Sequence, residues 1–206
     1  MIENRIIIYS FSQIASKIAI TLREKKYNVL IVEDDEDLAQ EAKKSGFETK
    51  TLSLMEDENI IELGLDKDHI KAFFCLGNNK NTNLFITLSV RNLNKDIKII
   101  SLSSTKEDNK TLLLAGANKT INPYEIGALR IFRSLHKPII QDILDNILFS
   151  SSNIEIAEFT IQKDSIFNGI YLEDLKKIHK KNIIILGIQD KELSDKFIFF
   201  STGINP

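Results

Sequence analysis

A doubly wound α/β fold, one parallel sheet with crossover helices on both faces, is what this sequence of 206 residues predicts. Three observations predict it. Short β-branched runs alternate with segments of helical period for most of the length. The runs carry few polar interruptions, as strands covered on both faces must. Gly46 and Gly116 each stand just past a helical segment, where a C-cap belongs.

Strands are expected at residues 5–9, 28–33, 49–53, 71–76, 97–102 and 119–122. The first connecting helix, 13–26, places Ile14, Ile18 and Leu22 at i, i+4 and i+8, a core-facing stripe. Further helices are expected at 35–45, 57–63, 81–93, 105–114 and 124–135. Right-handed crossovers then bring the ends of the first and fourth strands together, at the switch point where such sheets bind ligands.

After this unit, His136-Lys137-Pro138 breaks the helix, because proline disfavours helical geometry in the residue before it. A second helix carries Ile139, Ile140, Ile143, Leu144, Ile147 and Leu148, a wide stripe that docks either on its own sheet or on a partner subunit. Ser150-Ser151-Ser152-Asn153 reads as a linker. A small mixed lobe follows, with a helix at 173–180 and strands at 182–189 and 196–201. It has little core of its own. The expected organisation is 1–135, a crossover and linker at 136–152, and the lobe at 153–206, which stops so soon after a strand that a remainder is expected.

The 27 Lys and Arg against 29 Asp and Glu, interspersed, lack the electrostatic footprint of a nucleic-acid binder. No apolar run approaches the 18 or so residues of a spanning helix, and the N-terminus does not read as a signal peptide, so this segment is not expected to insert into a membrane. The single Cys75 lies in an apolar run and fits a reducing compartment.

Between the first strand and helix the sequence reads Ser10-Phe11-Ser12-Gln13-Ile14-Ala15, where a Rossmann-like dinucleotide fold carries Gly-x-Gly-x-x-Gly. Ser10 must make the tight turn at some conformational cost. Ser12 puts a hydroxymethyl group where a pyrophosphate would touch backbone, and Ala15 adds a methyl at the helix–strand contact. The helix N-terminus still offers N–H groups and positive dipole charge to an anion. Glu33 and Asp34 close the second strand about 20 residues on, where a ribose hydroxyl is usually held. Asn78 and Asn79 follow the fourth strand and offer side-chain amides, or simply turn chemistry. The candidate nucleotide or anion site is therefore Ser10, Ser12, Gln13, Ile14, Glu33, Asp34, Asn78 and Asn79; the alternative leaves Ser12 an ordinary N-cap. The acidic run from Glu33 to Asp37 reads as a solvated helical turn rather than a metal site. Lys176, Lys177, His179, Lys180 and Lys181 read as a solvated basic face. There is no Tyr-x-x-x-Lys pair, no G-x-S-x-G elbow and no His/Cys pair at metal spacing, so no catalytic or metal residues are expected. His69, His136 and His179 fall in connections or polar surfaces.

Three segments go beyond these generic features: residues 6–19, the stretch N-L-F-I-T-L from Asn83 on to Asn94, and residues 115–127 with N-P-Y-E-I-G from Asn122. Together they resemble the regulator-of-potassium-conductance (RCK) family, also called TrkA-N, the cytosolic gating ring of prokaryotic potassium channels and of Trk and Ktr uptake systems. The resemblance covers residues 5–150, and more weakly its C-terminal TrkA-C lobe over 154–206, without that lobe's final strand. It implies a crossover that grips a neighbouring subunit through Tyr124, Ile131, Leu135, Ile139, Ile140 and Ile143. Homodimers would assemble into an octameric ring at the cytoplasmic side of a bacterial inner membrane, and ligand binding would pull on a transmembrane potassium pore carried by a preceding segment. NAD, ADP or ATP would be the ligand, its identity left open by the departures at Ser10, Ser12 and Ala15. Calcium-gated members hold carboxylates at the positions of Ser53, Leu102 and Ser104, so no calcium site of that type is expected. The expected function is a ligand-sensing gating-ring domain. The alternatives are a soluble regulatory subunit of a Trk or Ktr system, which usually keeps the glycine loop, and an NAD-dependent oxidoreductase, which needs an acid/base group at the switch point.

Overall fold

The computed structural model describes residues 4–65, 70–136, 158–170, 186–190 and 198–199. Six parallel strands, β1 (Arg5–Tyr9), β2 (Asn28–Glu33), β3 (Glu48–Thr51), β4 (Ile70–Cys75), β5 (Lys98–Leu102) and β6 (Lys119–Ile121), form one sheet in the order β3-β2-β1-β4-β5-β6. Between and after them run α1 (Gln13–Glu24), α2 (Glu36–Lys44), α3 (Asp57–Glu62), α4 (Lys80–Leu93), α5 (Lys106–Leu114) and α6 (Pro123–His136). The sheet is doubly wound, as expected, and its order reverses at β1, which pairs with both β2 and β4.

Alternation along each strand sorts the core into two layers. Ile7, Leu30, Val32, Phe73 and Ile99 pack with Ile60, Ile86, Val90 and Leu112 from α3, α4 and α5. Ile6, Ile8, Val29, Ile31 and Ala72 pack with Ala15, Ala19 and Ala42 from α1 and α2. The expected stripe on α1 is displaced by one residue: Ala15 and Ala19 are fully buried, Ile18 and Leu22 flank them, and Ile14 is 37% exposed. Alanine lets the helix backbone approach the sheet closely, and the larger side chains splay to either side. β3 ends at Thr51, two residues before the expected limit, because Ser53 turns the chain and its hydroxyl accepts from the Met55 N–H at 3.3 Å.

The helix ends follow from local chemistry. Asp35 caps α2 through the Leu38 N–H at 3.0 Å, and Thr105 and Asp108 form a capping box on α5. At the opposite end of the sheet, all five N–H donors of Arg91 are used. They reach the carbonyls of Gly116 (3.0 Å), Asn94 (3.1 Å), Lys95 and Ile97 (2.8 Å) and Oδ1 of Asn118 (2.8 Å). One side chain thereby ties the α4–β5 turn to the α5–β6 turn. Cys75 is buried, its Sγ 3.6 Å from the Thr87 hydroxyl. Burial pushes its thiol up to about 11, which leaves it unreactive.

The chain divides into two compact units, Met1–Leu144 and Asp145–Pro206. In the second, turns within residues 158–170 are held by Ser165 N–H donating to the Gln162 carbonyl (3.0 Å) and the Asn168 amide donating to the Lys163 carbonyl (2.9 Å). Two short strands, β7 (Gly187–Ile188) and β8 (Ile198–Phe199), pair antiparallel. The expected helices at 139–148 and 173–180, with Ile139, Ile140, Ile143 and the basic cluster from Lys176 to Lys181, lie outside the described residues, as do His69 and His179.

Candidate functional site

The loop after β1 keeps the shape of a glycine turn without a glycine. Ser10 adopts φ +72°, the left-handed region, which costs a residue with a Cβ about 1 kcal/mol. Its N–H donates to the Val32 carbonyl at 2.9 Å. Ser12 is the N-cap of α1: its hydroxyl accepts from the Ala15 N–H at 3.3 Å. The N–H groups of Gln13 and Ile14, first in the helix, lack a carbonyl four residues back and face out of its end. Phe11 is buried against Phe47, with Arg23 stacked on the Phe47 ring 4.6 Å away.

The structure corrects the expectation for Glu33. It is 2% exposed and turned inward, so it presents no open carboxylate to a ribose hydroxyl. One oxygen accepts from the Phe11 N–H (2.7 Å), the other from the N–H groups of Asp34 (2.9 Å) and Asp35 (3.2 Å). The buried loop N–H of Phe11 needs an acceptor, and Glu33 is the side chain within reach. Asp34 beside it stays exposed.

Burial, and then the Asp34 side chain, raise the Glu33 carboxyl above its ordinary 4.5, against the lowering effect of the three backbone N–H groups. Burial first, then the charges of Asp34 and Glu33, push the Tyr9 hydroxyl up as well. A raised carboxyl binds its proton more tightly in the folded state than in the unfolded chain. Stability from this group is therefore fully present below 4.5 and is lost as pH rises through the raised value. Glu33→Gln removes the titration, so the melting temperature of wild type minus that of the variant should fall as pH rises from about 4.5. A difference that grows with pH would show that the backbone donors win and the carboxyl lies below its ordinary value.

Beside the loop, at the switch point, lies a crevice. Its lining draws Ile14 from α1, and Gly77, Asn78, Lys80 and Asn83 from the β4–α4 connection and the start of α4. Leu102, Ser103 and Ser104 come from the end of β5, Pro123 and Tyr124 from α6. Of the residues expected here from the sequence, Ile14 and Asn78 line the crevice, and Tyr124, expected at a subunit interface, lines it as well. Ser10, Ser12, Gln13, Glu33, Asp34 and Asn79 are not in this lining. Asn79 is instead the N-cap of α4, its Oδ1 accepting from the N–H groups of Asn81 (2.9 Å) and Thr82 (3.2 Å). That corrects its reading as a free amide: its acceptor is spent on the helix end.

Asn83 and Gly77 were not legible as site residues. Asn83 is 2% exposed, and its amide donates to the carbonyls of Gly77 (2.8 Å) and Leu102 (3.3 Å). Its Oδ1 meets no donor among the described residues. A Cβ on Gly77 would stand 2.9 Å from that oxygen and 3.0 Å from the Tyr9 ring, so glycine is what lets Asn83 and Tyr9 pack closely against this turn. The available signal was an asparagine on the face of α4 that also carries Ile86 and Val90. The lining offers amides, hydroxyls and the Lys80 ammonium, which lies 3.8 Å from Asp108 across the surface. Among the described residues no group of three or more His, Cys, Asp or Glu could hold a metal ion, and no helix is long and apolar enough to cross a membrane.

The helix that contributes Tyr124 carries a bare apolar face. No residue of α6 is buried; Tyr124 is 72%, Ile131 76% and Leu135 79% exposed. Asn122 anchors its start, Oδ1 accepting from the N–H groups of Tyr124 and Glu125, each at 3.1 Å.

Fold and crevice define a Rossmann-like domain with a polar crevice at its switch point and an apolar helix standing beside it. The chain belongs to the TrkA-N domain family, whose model matches residues 6–123. Probable potassium channel protein 2 of Methanocaldococcus jannaschii is 36% identical over 112 residues, 52% of this chain and 33% of that protein. Potassium channel protein 1 of the same organism is 23% identical over 191 residues, 91% of this chain and 56% of that one. The chain thus spans between a third and somewhat over half of the length of these relatives. The structure of the GsuK channel bound to NAD matches with a TM-score of 0.57 at 19% identity, over 69% of this chain and 25% of that one, a likeness of fold.

Proposed function

We propose that this chain is a regulatory, ligand-sensing domain of a potassium channel assembly, working at the cytoplasmic side of the membrane through contacts between copies. The observation that carries this reading is the placement of α6. Its first turn, Pro123 and Tyr124, lines the crevice, while Ile131 and Leu135 lie seven and eleven residues beyond Tyr124, on the same helical face. A ligand in the crevice therefore touches the start of the element whose apolar face seeks a neighbour. Ile139, Ile140 and Ile143 would extend that contact, and dimers would close into a ring, octameric by analogy with the family. A ligand that binds one ring state better than another shifts the population toward it, and the coupling reaches a pore without any bond being made or broken.

A nucleotide fits the residues present. Ser10 holds the glycine conformation, the first N–H groups of α1 face outward, and Asp34 stands exposed beside Tyr9 and Glu33. NAD in the related fold of GsuK supports the same ligand class. Amides, hydroxyls and an ammonium group bind and orient; a carboxylate or imidazole to relay a proton is not among the lining residues described, which favours regulation over catalysis.

Thermal-shift measurements with AMP, ADP, ATP and NAD test this. A nucleotide at about 100 times its Kd adds about 2.7 kcal/mol, which raises the melting temperature of a chain this size by about 5–10 °C. No shift from any of the four at millimolar concentration would remove the nucleotide from the proposal.

A further inference from the structure

One side chain joins the end of β5 to the start of α6. Pro123 opens the helix and has no N–H, so the first N–H groups that need an acceptor belong to Tyr124 and Glu125. Asn122 Oδ1 accepts from both, each at 3.1 Å, and the Asn122 carbonyl accepts from the Ile126 N–H at 3.2 Å. The other end of the same amide faces the sheet: Nδ2 donates to the Ser104 carbonyl at 2.9 Å. Two N–H donors on one side and a carbonyl on the other leave the amide a single orientation. Ser104, Pro123 and Tyr124 all line the crevice, whereas Asn122 is absent from that lining. Just before this point the Ser103 N–H donates to the Ile121 carbonyl at 2.9 Å, which holds the ends of β5 and β6 together. The amide is planar, so its nitrogen and oxygen move as one body, and a shift of Ser104 is passed to the first turn of α6.

No residue of α6 is buried, so packing on its own sheet does little to fix its direction. Leu135 lies 13 residues beyond Asn122, about 20 Å along the helix, and a tilt of about 10° at the first turn carries it about 3 Å. That is enough to unseat an apolar contact, which needs atoms within about 4–4.5 Å. Resting on the regulatory reading above, we infer that Asn122 is the positioning residue that couples the crevice to the apolar face of α6. Occupancy of the crevice displaces Ser104, the amide follows, and the helix turns. Asn122 touches the strand end and the helix rather than the ligand, so its role is separable from binding.

Asn122→Asp and Asn122→Ser separate the two ends of the amide. Each keeps a good N-cap for Tyr124 and Glu125, and each loses the donor to Ser104: aspartate has none, and the serine hydroxyl is one bond shorter. Both should therefore fold, with melting temperatures within about 6 °C of wild type. Light scattering on the whole chain gives the assembly constant with and without saturating AMP, ADP, ATP or NAD. In the wild type at least one of the four should change that constant by about fivefold or more. Both variants should still bind that nucleotide in a thermal-shift measurement, yet their assembly constant should move by less than about twofold. A purely structural cap would change the melting temperature and leave the fivefold response in place. A response retained in either variant would overturn the inference while the regulatory reading stands. Loss of nucleotide binding in the variants would make Asn122 part of the ligand site and overturn it as well. Wild-type assembly indifferent to all four nucleotides would overturn both the inference and the reading.

Discussion

Replacing Ile131 and Leu135 together by aspartate is expected to turn an assembled protein into a monomer whose melting temperature lies within about 2 °C of that of the wild-type chain diluted until it is monomeric. Both side chains are more than three-quarters exposed, and no residue of α6 is buried, so the fold of the first unit owes them little. An assembly that covers them gains about 1.5–3 kcal/mol for each large apolar side chain removed from water. Aspartate reverses the sign, because an unpaired carboxylate in an apolar contact costs several kcal/mol. A two-fold interface repeats each substitution on both sides. The dissociation constant should therefore rise by about a thousandfold or more, which light scattering at tens of micromolar would register as a halving or greater fall in mass. Two results would count against the interface: a wild-type chain already monomeric at that concentration, or a double variant that stays assembled. A large fall in melting temperature would place these side chains in the core of their own subunit.

Gly116→Ala is expected to destabilise the first unit by about 3–5 kcal/mol. At φ +105° an alanine is strained by about 1–3 kcal/mol before any contact is considered. The added carbon would also meet Arg91 Cγ at 2.5 Å and Cβ at 3.0 Å, the root of that side chain rather than its mobile tip. Arg91 must then move, and its five hydrogen bonds to two turns move with it. Gly46→Ala is the internal control. It too has positive φ, +80°, but its Cβ would come no nearer than 3.5 Å to anything, the end of Arg23. It should cost about 1–2 kcal/mol, the conformational part alone. At about 2–4 °C per kcal/mol, thermal melts of the two variants should differ by about 2 °C or more, with Gly116→Ala the lower. Equal melts would show that Arg91 is held loosely and that its hydrogen bonds contribute little.

The strands were legible because a buried parallel strand has to be apolar on both faces, and runs such as Ile6-Ile7-Ile8 and Val29 to Val32 leave few other readings. Helix ends were legible where capping chemistry is local, as at Asp35 and Thr105. Which face of α1 meets the sheet was not: Ile14, Ile18 and Leu22 have the right spacing, yet Ala15 and Ala19 make the contact, since close approach favours the smallest side chain. Position after the second and fourth strands placed Glu33 and Asn79 in a ligand site, with turn chemistry the alternative for Asn79, and both turn out to bond the backbone, one to the β1 loop and one to the start of α4.

By itself, then, the sequence determined which segments are strands and which are helices, their alternation, the glycine-poor loop and the apolar run from Tyr124 onward, because each depends on patterns within a few residues of one another. Only the tertiary structure decided which polar groups are satisfied and which are left without a partner among the described residues. Asn83 and Gly77 lie six residues apart in the chain, but the oxygen left unpaired at Asn83 is a consequence of Gly77, Leu102 and Tyr9 converging from three strand ends. Hydrogen-bond satisfaction is settled between elements distant in sequence, and no local pattern records it.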